Sequence, residues 1–293
     1  MDDSRQEVAK YARLTLQRAG VGDRLPTPID DIVSASKLVV AQDVSLAHIH
    51  QGFLSKAAGA LRSALSKLRA LIDFREKQIY VDTSMSHHQV NWGKLHECGH
   101  QVLPWQRNAY GYKDDDHTLS ADVNAHFERE ANLFAAEVLF QLERFTNNAA
   151  DLPLNVKSPV QLSKRFGSSC HAAIRRFVET NPRPCAVLVC RPAKQLIDNP
   201  YPLELVHAVY SPAFINKFGH LLLPRRFEAE HIFAKHTVEF GTKLLEDGEV
   251  ELRNGDGEPM RLHFSLFNST YNVFIFVHPL RGGRLWNLFS PKN

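Results

Sequence analysis

The stretch Leu95-His96-Glu97-Cys98-Gly99-His100 decides how the first half of this sequence is understood. Residues four apart stand one above the other on a helix, so His96 and His100 can hold one ion between them. Glu97 lies between the two histidines, where it can reach a water on that ion. Two neutral imidazoles leave coordination positions open. The stretch therefore predicts a metal site on a helix, with Glu97 as the general base.

The same spacing is the His-Glu-x-x-His pattern of zinc metallopeptidases. In such a site the ion lowers the pKa of its water, and the glutamate takes the proton. The pattern also arises by chance in long helical chains, and histidines four apart are common. Because a catalytic zinc usually has three protein ligands, the motif needs a third one downstream.

A third ligand is available in Glu128-Arg129-Glu130-Ala131-Asn132, which begins 28 residues after His100. Glu128 is the predicted ligand, because zinc peptidases with a glutamate ligand carry it on a downstream helix in a similar arrangement. Glu130 ranks below it because it points from a different helical face. Asn132 shares the face of Glu128 and is predicted to hydrogen-bond a ligand histidine. The alternative is that this segment is an ordinary solvated helix face rich in glutamate and arginine.

The segment from Glu128 to Glu137 resembles the E-x-EAN-x-FAAE helix of the ImmA/IrrE-type zinc metallopeptidases of bacteria and phages. His96, Glu97 and His100 match that family's motif, and Glu128 matches its third zinc ligand. The resemblance extends over about residues 5–145. It implies one zinc ion per chain and a helix-turn-helix repressor as the substrate. Cleavage of that repressor would release stress-response or mobile-element genes.

Two segments depart from the family's usual pattern. Val90-Asn91-Trp92-Gly93-Lys94-Leu95 replaces an Arg-Phe-Thr-Leu-Ala run, and Val138-Leu139-Phe140-Gln141 replaces Leu-Leu-Met-Pro. Neither departure changes a predicted ligand, but both bear on the cleft around the site.

Peptide hydrolysis also needs a group that stabilises the oxyanion, a role that zinc can share with a histidine or tyrosine. Four candidates lie near the motifs in sequence, and the pattern does not choose among them: Tyr110, Tyr112, His117 and His126.

Residues 151–184 form a predicted helical linker that is like a helix-turn-helix, with Gly167 in the turn. Between Asn155 and Pro184 there are six basic residues and one acidic residue, Glu179. Such a balance suits contact with DNA phosphates. The residues predicted to bind DNA are Lys164, Arg165, Arg175 and Arg176. The alternative is a helical pair that packs on the catalytic domain.

The predicted fold is α+β, with a zincin-like (gluzincin) catalytic domain at residues 1–150, the linker at 151–184 and a C-terminal α+β domain at 185–293. The last domain resembles a GAF-like sensory domain in position, size and strand content only. We find no catalytic motif in it.

Composition excludes several classes of protein. No window approaches 18 consecutive apolar residues, so we expect no transmembrane helix and no membrane partner. The N-terminus lacks the apolar region of a secretory signal, and the four cysteines form no CxxC pair. These features favour a cytoplasmic protein. The net charge of +3 is too small to indicate nucleic-acid binding by itself.

The leading hypothesis from the sequence is a cytoplasmic zinc-dependent endopeptidase that cleaves a DNA-binding repressor. The alternative is a non-proteolytic transcriptional regulator or anti-repressor. In that case the zinc fold is a scaffold, and the helix-turn-helix binds DNA.

Overall fold

The fold is mixed α+β, as expected, and separates into two compact units. A computed structural model describes residues 2–41, 70–111, 120–192, 201–240, 244–269 and 271–280. One unit comprises residues 1–145 and 165–168, and the other comprises 146–164 and 169–293. The division at residues 150 and 184 stays a prediction. None of the described helices is long and apolar enough to cross a membrane.

The first unit carries the predicted metal site. Its elements in chain order are α1 (Asp2–Arg18), α2 (Ile29–Ala35), β1 (Val39–Val40), β2 (Ala70–Asp73), β3 (Gln78–Val81), α3 (His87–Val102), α4 (Pro104–Gly111) and α5 (Ala121–Leu139). Two further helices, α6 (Glu143–Ala149) and α7 (Lys157–Phe166), contain the points at which the chain passes between units.

Its sheet has the order β1-β3-β2, with β1 parallel and β2 antiparallel to β3. Helix α3 packs on β2, β3, α2 and α5, while α1 packs on α5. Ala131, Phe134, Ala135 and Val138 are fully buried at spacings of three and four residues along α5. This apolar stripe explains why α5 is a helix with one face in the core.

Two segments differ from the sequence prediction. Pro104 and the polar residues after it predict the end of α3 and a loop from about residue 106 to 121, but Pro104 begins helix α4, where its missing N–H costs nothing. The apolar pattern predicts that α5 runs from about Ala121 to Phe145, but α5 ends at Leu139 because Gln141 and Leu142 adopt positive φ angles of 52° and 56°. Glycine, the usual signal for such an ending, is missing there.

After α7, the described elements of the second unit are α8 (Cys170–Glu179), β4 (Ala186–Pro192), β5 (Leu203–Tyr210), α9 (Pro212–Phe218), β6 (Arg226–Phe227), α10 (Ile232–Phe240), β7 (Leu244–Arg253), β8 (Pro259–Asn268) and β9 (Val273–Pro279). The six strands form an antiparallel sheet with the order β6-β5-β4-β9-β8-β7.

Helices cover both faces of this sheet. On one face Phe214 of α9 and Phe233 of α10 join a fully buried cluster with strand residues such as Phe264. On the other face Phe177 of α8 meets Phe276 of β9 edge to face, with ring centroids 5.9 Å apart. The arrangement accounts for the apolar strands of the C-terminal region, and its likeness to a sensory domain stays a prediction.

Candidate metal centre

Helix α3 brings the two motif histidines together as their spacing predicts. Its first turn is closed by Ser86, whose backbone N–H donates to Gln89 Oε1 at 3.1 Å. Two and a half turns later, His96 Nε2 and His100 Nε2 lie 3.1 Å apart. Two nitrogens at this separation face the same point in space.

Glu128 on helix α5 completes the group. Its Oε2 lies 3.2 Å from His96 Nε2, and its Oε1 lies 3.5 Å from His100 Nε2. Donors held about 2.0–2.1 Å from a tetrahedral zinc ion lie roughly 3.3 Å from one another. The three side chains, called the metal cluster below, therefore fit zinc in both chemistry and spacing. Within the described part of the chain, theirs is the one group of three or more donors that could hold a metal ion.

The two helices that carry the metal cluster touch through their backbones. A Cβ atom placed on Gly99 of α3 would lie 3.0 Å from Ala131 Cα and 3.3 Å from Ala131 O of α5. Glycine, which has no Cβ, permits this approach. Glu128 is one helical turn from Ala131, so the close contact sets how near Glu128 comes to the histidines.

Glu97 lies beside the metal cluster in a buried position, with 5% of its surface exposed. Burial raises the pKa of Glu97 against the opposing charges of His100 and His96, and the Ile72 backbone N–H of β2 donates to its carboxylate. A carboxylate with a raised pKa next to a metal position is suited to taking up and returning a proton.

The described contacts place Asn132 differently from the prediction. It is exposed, and its Nδ2 donates to the backbone O of Glu128 at 2.8 Å. The side chain that meets a ligand histidine is Gln106 of α4, whose Oε1 lies 2.7 Å from His100 Nδ1. Sequence reasoning missed Gln106 because α4 itself was taken for a loop.

Tyr110, one of the oxyanion candidates, lies next to the site. Its ring is perpendicular to that of His100 with centroids 5.5 Å apart, and it stacks on Phe74 at 5.2 Å. Burial and the nearby carboxylates raise the pKa of Tyr110 to about 12, so its hydroxyl stays protonated. His126 instead pairs with Glu130 at 3.0 Å. Tyr112 and His117 lie outside the described residues.

The residues predicted to bind DNA lie on α7 and α8, which Gly167 separates with a φ of +72°. Lys164, Arg165 and Arg175 are exposed, whereas Arg176 is partly buried. Arg175 Nε forms an ion pair with Glu179 Oε1 at 2.7 Å, which offsets its charge.

Helix α8 also packs on β4 and β5. It does so with four buried residues: Ala173, Ile174, Phe177 and Val178. Only its opposite side faces solvent, so DNA binding stays a prediction.

A buried glutamate beside two histidines four residues apart, with a glutamate from a second helix, is the arrangement of donors expected of a metallopeptidase-type domain. Residues 55–178 match the family Peptidase_M78, described as the IrrE N-terminal-like domain. This match confirms the ImmA/IrrE resemblance for that part of the chain.

Solved structures agree at the level of the fold. A Mycobacterium tuberculosis transcriptional regulator has a TM-score of 0.51 and 12% identity, over 93% of this chain and 75% of that chain. At this identity the likeness shows a shared fold alone. No curated protein matches the sequence.

Proposed function

We propose that this protein is a zinc-dependent endopeptidase whose substrate is a DNA-binding regulatory protein. The observation that carries the proposal is the metal cluster with buried Glu97 beside it. His96, His100 and Glu128 would hold the ion. A zinc ion in such a set supplies Lewis acidity, polarising the scissile carbonyl and acidifying water.

Glu97 acts as the general base in this proposal. Its carboxylate takes the proton of the attacking water and passes it to the leaving amine. Burial favours the protonated form of Glu97 and so assists uptake of the proton from water.

Tyr110 is the residue we assign to the oxyanion. Its hydroxyl remains protonated at every working pH, and its ring is held between Phe74 and Phe127. The hydroxyl donates to Asn124 Oδ1 at 3.3 Å, and in this proposal it exchanges that acceptor for the oxyanion.

Strand β2 offers a binding edge for an extended substrate. In the described part of the sheet it is an outer strand, and its Ile72 N–H points toward Glu97. An extended peptide can add to such an edge through main-chain hydrogen bonds. A substrate docked there would present one backbone carbonyl to the metal cluster.

The choice of substrate rests on the family. Members of the ImmA/IrrE family cleave helix-turn-helix repressors, and this supports a proposed cytoplasmic activity in the control of stress-response or mobile-element genes. All four cysteines are free, which suits a reducing compartment.

The substitution Glu97→Gln tests the peptidase. It keeps the shape of the side chain and leaves the metal cluster intact but removes the base. Cells producing wild-type protein or the Glu97→Gln variant are compared by labelling of new protein N-termini and mass spectrometry. We expect zinc in both proteins and new N-termini, including one in a DNA-binding regulator, with wild type only. If the Glu97→Gln variant produces the same cellular response as wild type, the hypothesis that the protein acts by proteolysis is refuted.

A non-proteolytic regulator is the second candidate. The exposed Lys164 and Arg165 at the end of α7 favour it, as does the shared fold of a protein named as a transcriptional regulator. Exchange of Lys164 and Arg165 for alanine should weaken DNA binding and reduce its salt dependence by about two phosphate contacts. If wild-type protein shows no DNA affinity at low salt, this candidate is excluded.

A further inference from the structure

His100 has two ring nitrogens, and the second one meets a buried glutamine. Its Nε2 faces His96 and Glu128, the other members of the metal cluster, while its Nδ1 lies 2.7 Å from Gln106 Oε1. Gln106 is fully buried near the start of α4. A histidine can serve as a metal ligand through Nε2 only when that nitrogen carries no proton.

The other contacts of Gln106 determine which ring nitrogen of His100 carries the proton. Its Nε2 donates to the Phe127 backbone O at 3.1 Å and to Glu130 Oε2 at 2.8 Å. Both partners only accept, so the amide nitrogen must face them and the amide oxygen must face His100. An amide oxygen only accepts, and His100 Nδ1 must therefore be the donor. The lone pair of His100 Nε2 is then directed toward His96 and Glu128, where the ion would bind.

We propose that Gln106 is a positioning residue that holds His100 in the tautomer and orientation that zinc binding requires. This inference rests on the proposed zinc site but concerns a residue outside the predicted ligand set. Groups that hydrogen-bond a ligand histidine typically contribute ten- to a hundredfold to metal affinity.

A carboxylate could not replace the amide here. A glutamate at position 106 would accept from His100 but would place a second negative charge 2.8 Å from Glu130. Only a side chain with an acceptor on one side and donors on the other joins a histidine to a carboxylate. The need for both properties explains why glutamine stands at this position.

Glu130 is itself firmly held. Besides Gln106, its oxygens accept from Trp105 Nε1 at 2.6 Å and from Ser4 Oγ at 2.7 Å. Together with the Gln106 amide, these donors hold the carboxylate in place as the acceptor for Gln106. Ser4 lies on α1, which precedes the residues that match the family.

The decisive variant is Gln106→Met, which preserves the length of the side chain and removes all three hydrogen bonds. The chain offers a closely matched control in Gln141, which is also buried. Gln141 accepts from Arg144 at 2.8 Å and donates to Arg24 O and Thr27 Oγ1 at 3.0 Å, without touching the metal cluster. Gln141→Met thus removes three hydrogen bonds from the same unit.

Zinc affinity is measured by competition with a chelating dye, and thermal stability is measured on metal-free protein. We expect both variants to lose similar stability. Gln106→Met should bind zinc ten- to a hundredfold more weakly than wild type, and Gln141→Met should stay within about twofold. With cobalt in place of zinc, only Gln106→Met should change the visible absorption spectrum.

Zinc affinity of Gln106→Met within twofold of wild type would overturn the inference, as would equal losses in both variants. If wild-type protein itself binds no zinc, the proposed function fails instead. Should Gln106→Met not fold, Glu130→Gln carries the test, because it keeps the shape but weakens the hold on Gln106. Its zinc affinity should fall severalfold, and an unchanged value would likewise refute the role of Gln106.

Discussion

The substitution Gly99→Ala tests whether the contact between α3 and α5 controls the metal cluster. The added Cβ would lie 3.0 Å from Ala131 Cα, whereas carbon atoms in ordinary contact are about 3.5–4.0 Å apart. Ala131 meets it with backbone, which cannot rotate away as a side chain would. We therefore expect the two helices to separate by about half an ångström or more.

Two opposing effects determine the stability of the Gly99→Ala variant. Alanine in a helix interior is favoured over glycine by about 1 kcal/mol, while overpacking a core costs about 1–3 kcal/mol. Metal-free Gly99→Ala should therefore be less stable than wild type by about 0–2 kcal/mol. Metal–ligand distances tolerate only about 0.2 Å. If zinc must reverse about 2 kcal/mol of strain, its affinity falls about thirtyfold.

The assay combines urea unfolding of the metal-free protein with zinc titration against a chelating dye. Reduced zinc affinity with a modest loss of stability is the expected result. A variant that is about 1 kcal/mol more stable than wild type and binds zinc equally well would show only the gain in helix propensity. That result would refute the argument that Gly99 controls the spacing of the ligands.

Three further predictions follow from the site. Tyr110→Phe should lower kcat by about a hundred- to a thousandfold without loss of zinc, and an unchanged kcat in a peptide-cleavage assay would exclude the oxyanion role. Burial tends to lower the pKa of His100, but the carboxylates of Glu128 and Glu97 raise it above its usual value. Since zinc needs the neutral ring, affinity should fall as pH drops through that raised pKa, and a titration showing pH-independent affinity would contradict this. Burial raises the pKa of Cys98 to about 12, so in native protein thiol reagents should modify the partly exposed Cys170 first, a ranking that peptide mapping by mass spectrometry can check.

The sequence predicted the metal cluster because its members obey local rules. His96 and His100 are four residues apart on one helix, and Glu128 lies on the polar side of a second helix with a clear apolar stripe. Helical periodicity alone brings the two histidines to one face, whereas Glu128 reaches them through the packing of α5 on α3. The distances between Nε2 atoms and the carboxylate of Glu128 agree with what that pattern predicts.

Helix α4 was beyond the reach of the same rules. Pro104 is compatible both with the end of one helix and with the start of the next. The seven residues after it show no clear helical spacing of apolar side chains. The structure resolves the choice because the start of α4 packs inward, where Gln106 reaches both His100 and Glu130. Asn132 donates to the backbone O of Glu128 within its own helix, and its contact with a ligand histidine stays a prediction.

The sequence by itself determined the donor groups of the candidate site: two histidines and a base by their spacing within one helix, and a third carboxylate by the resemblance of its helix to that of a known family. Only the tertiary structure decided which groups surround them. The Ile72 N–H on Glu97, the approach of Gly99 to Ala131 and the link from His100 through Gln106 each join separate elements. Such contacts depend on how helices and strands pack, and packing is a property of the whole fold that no local periodicity encodes.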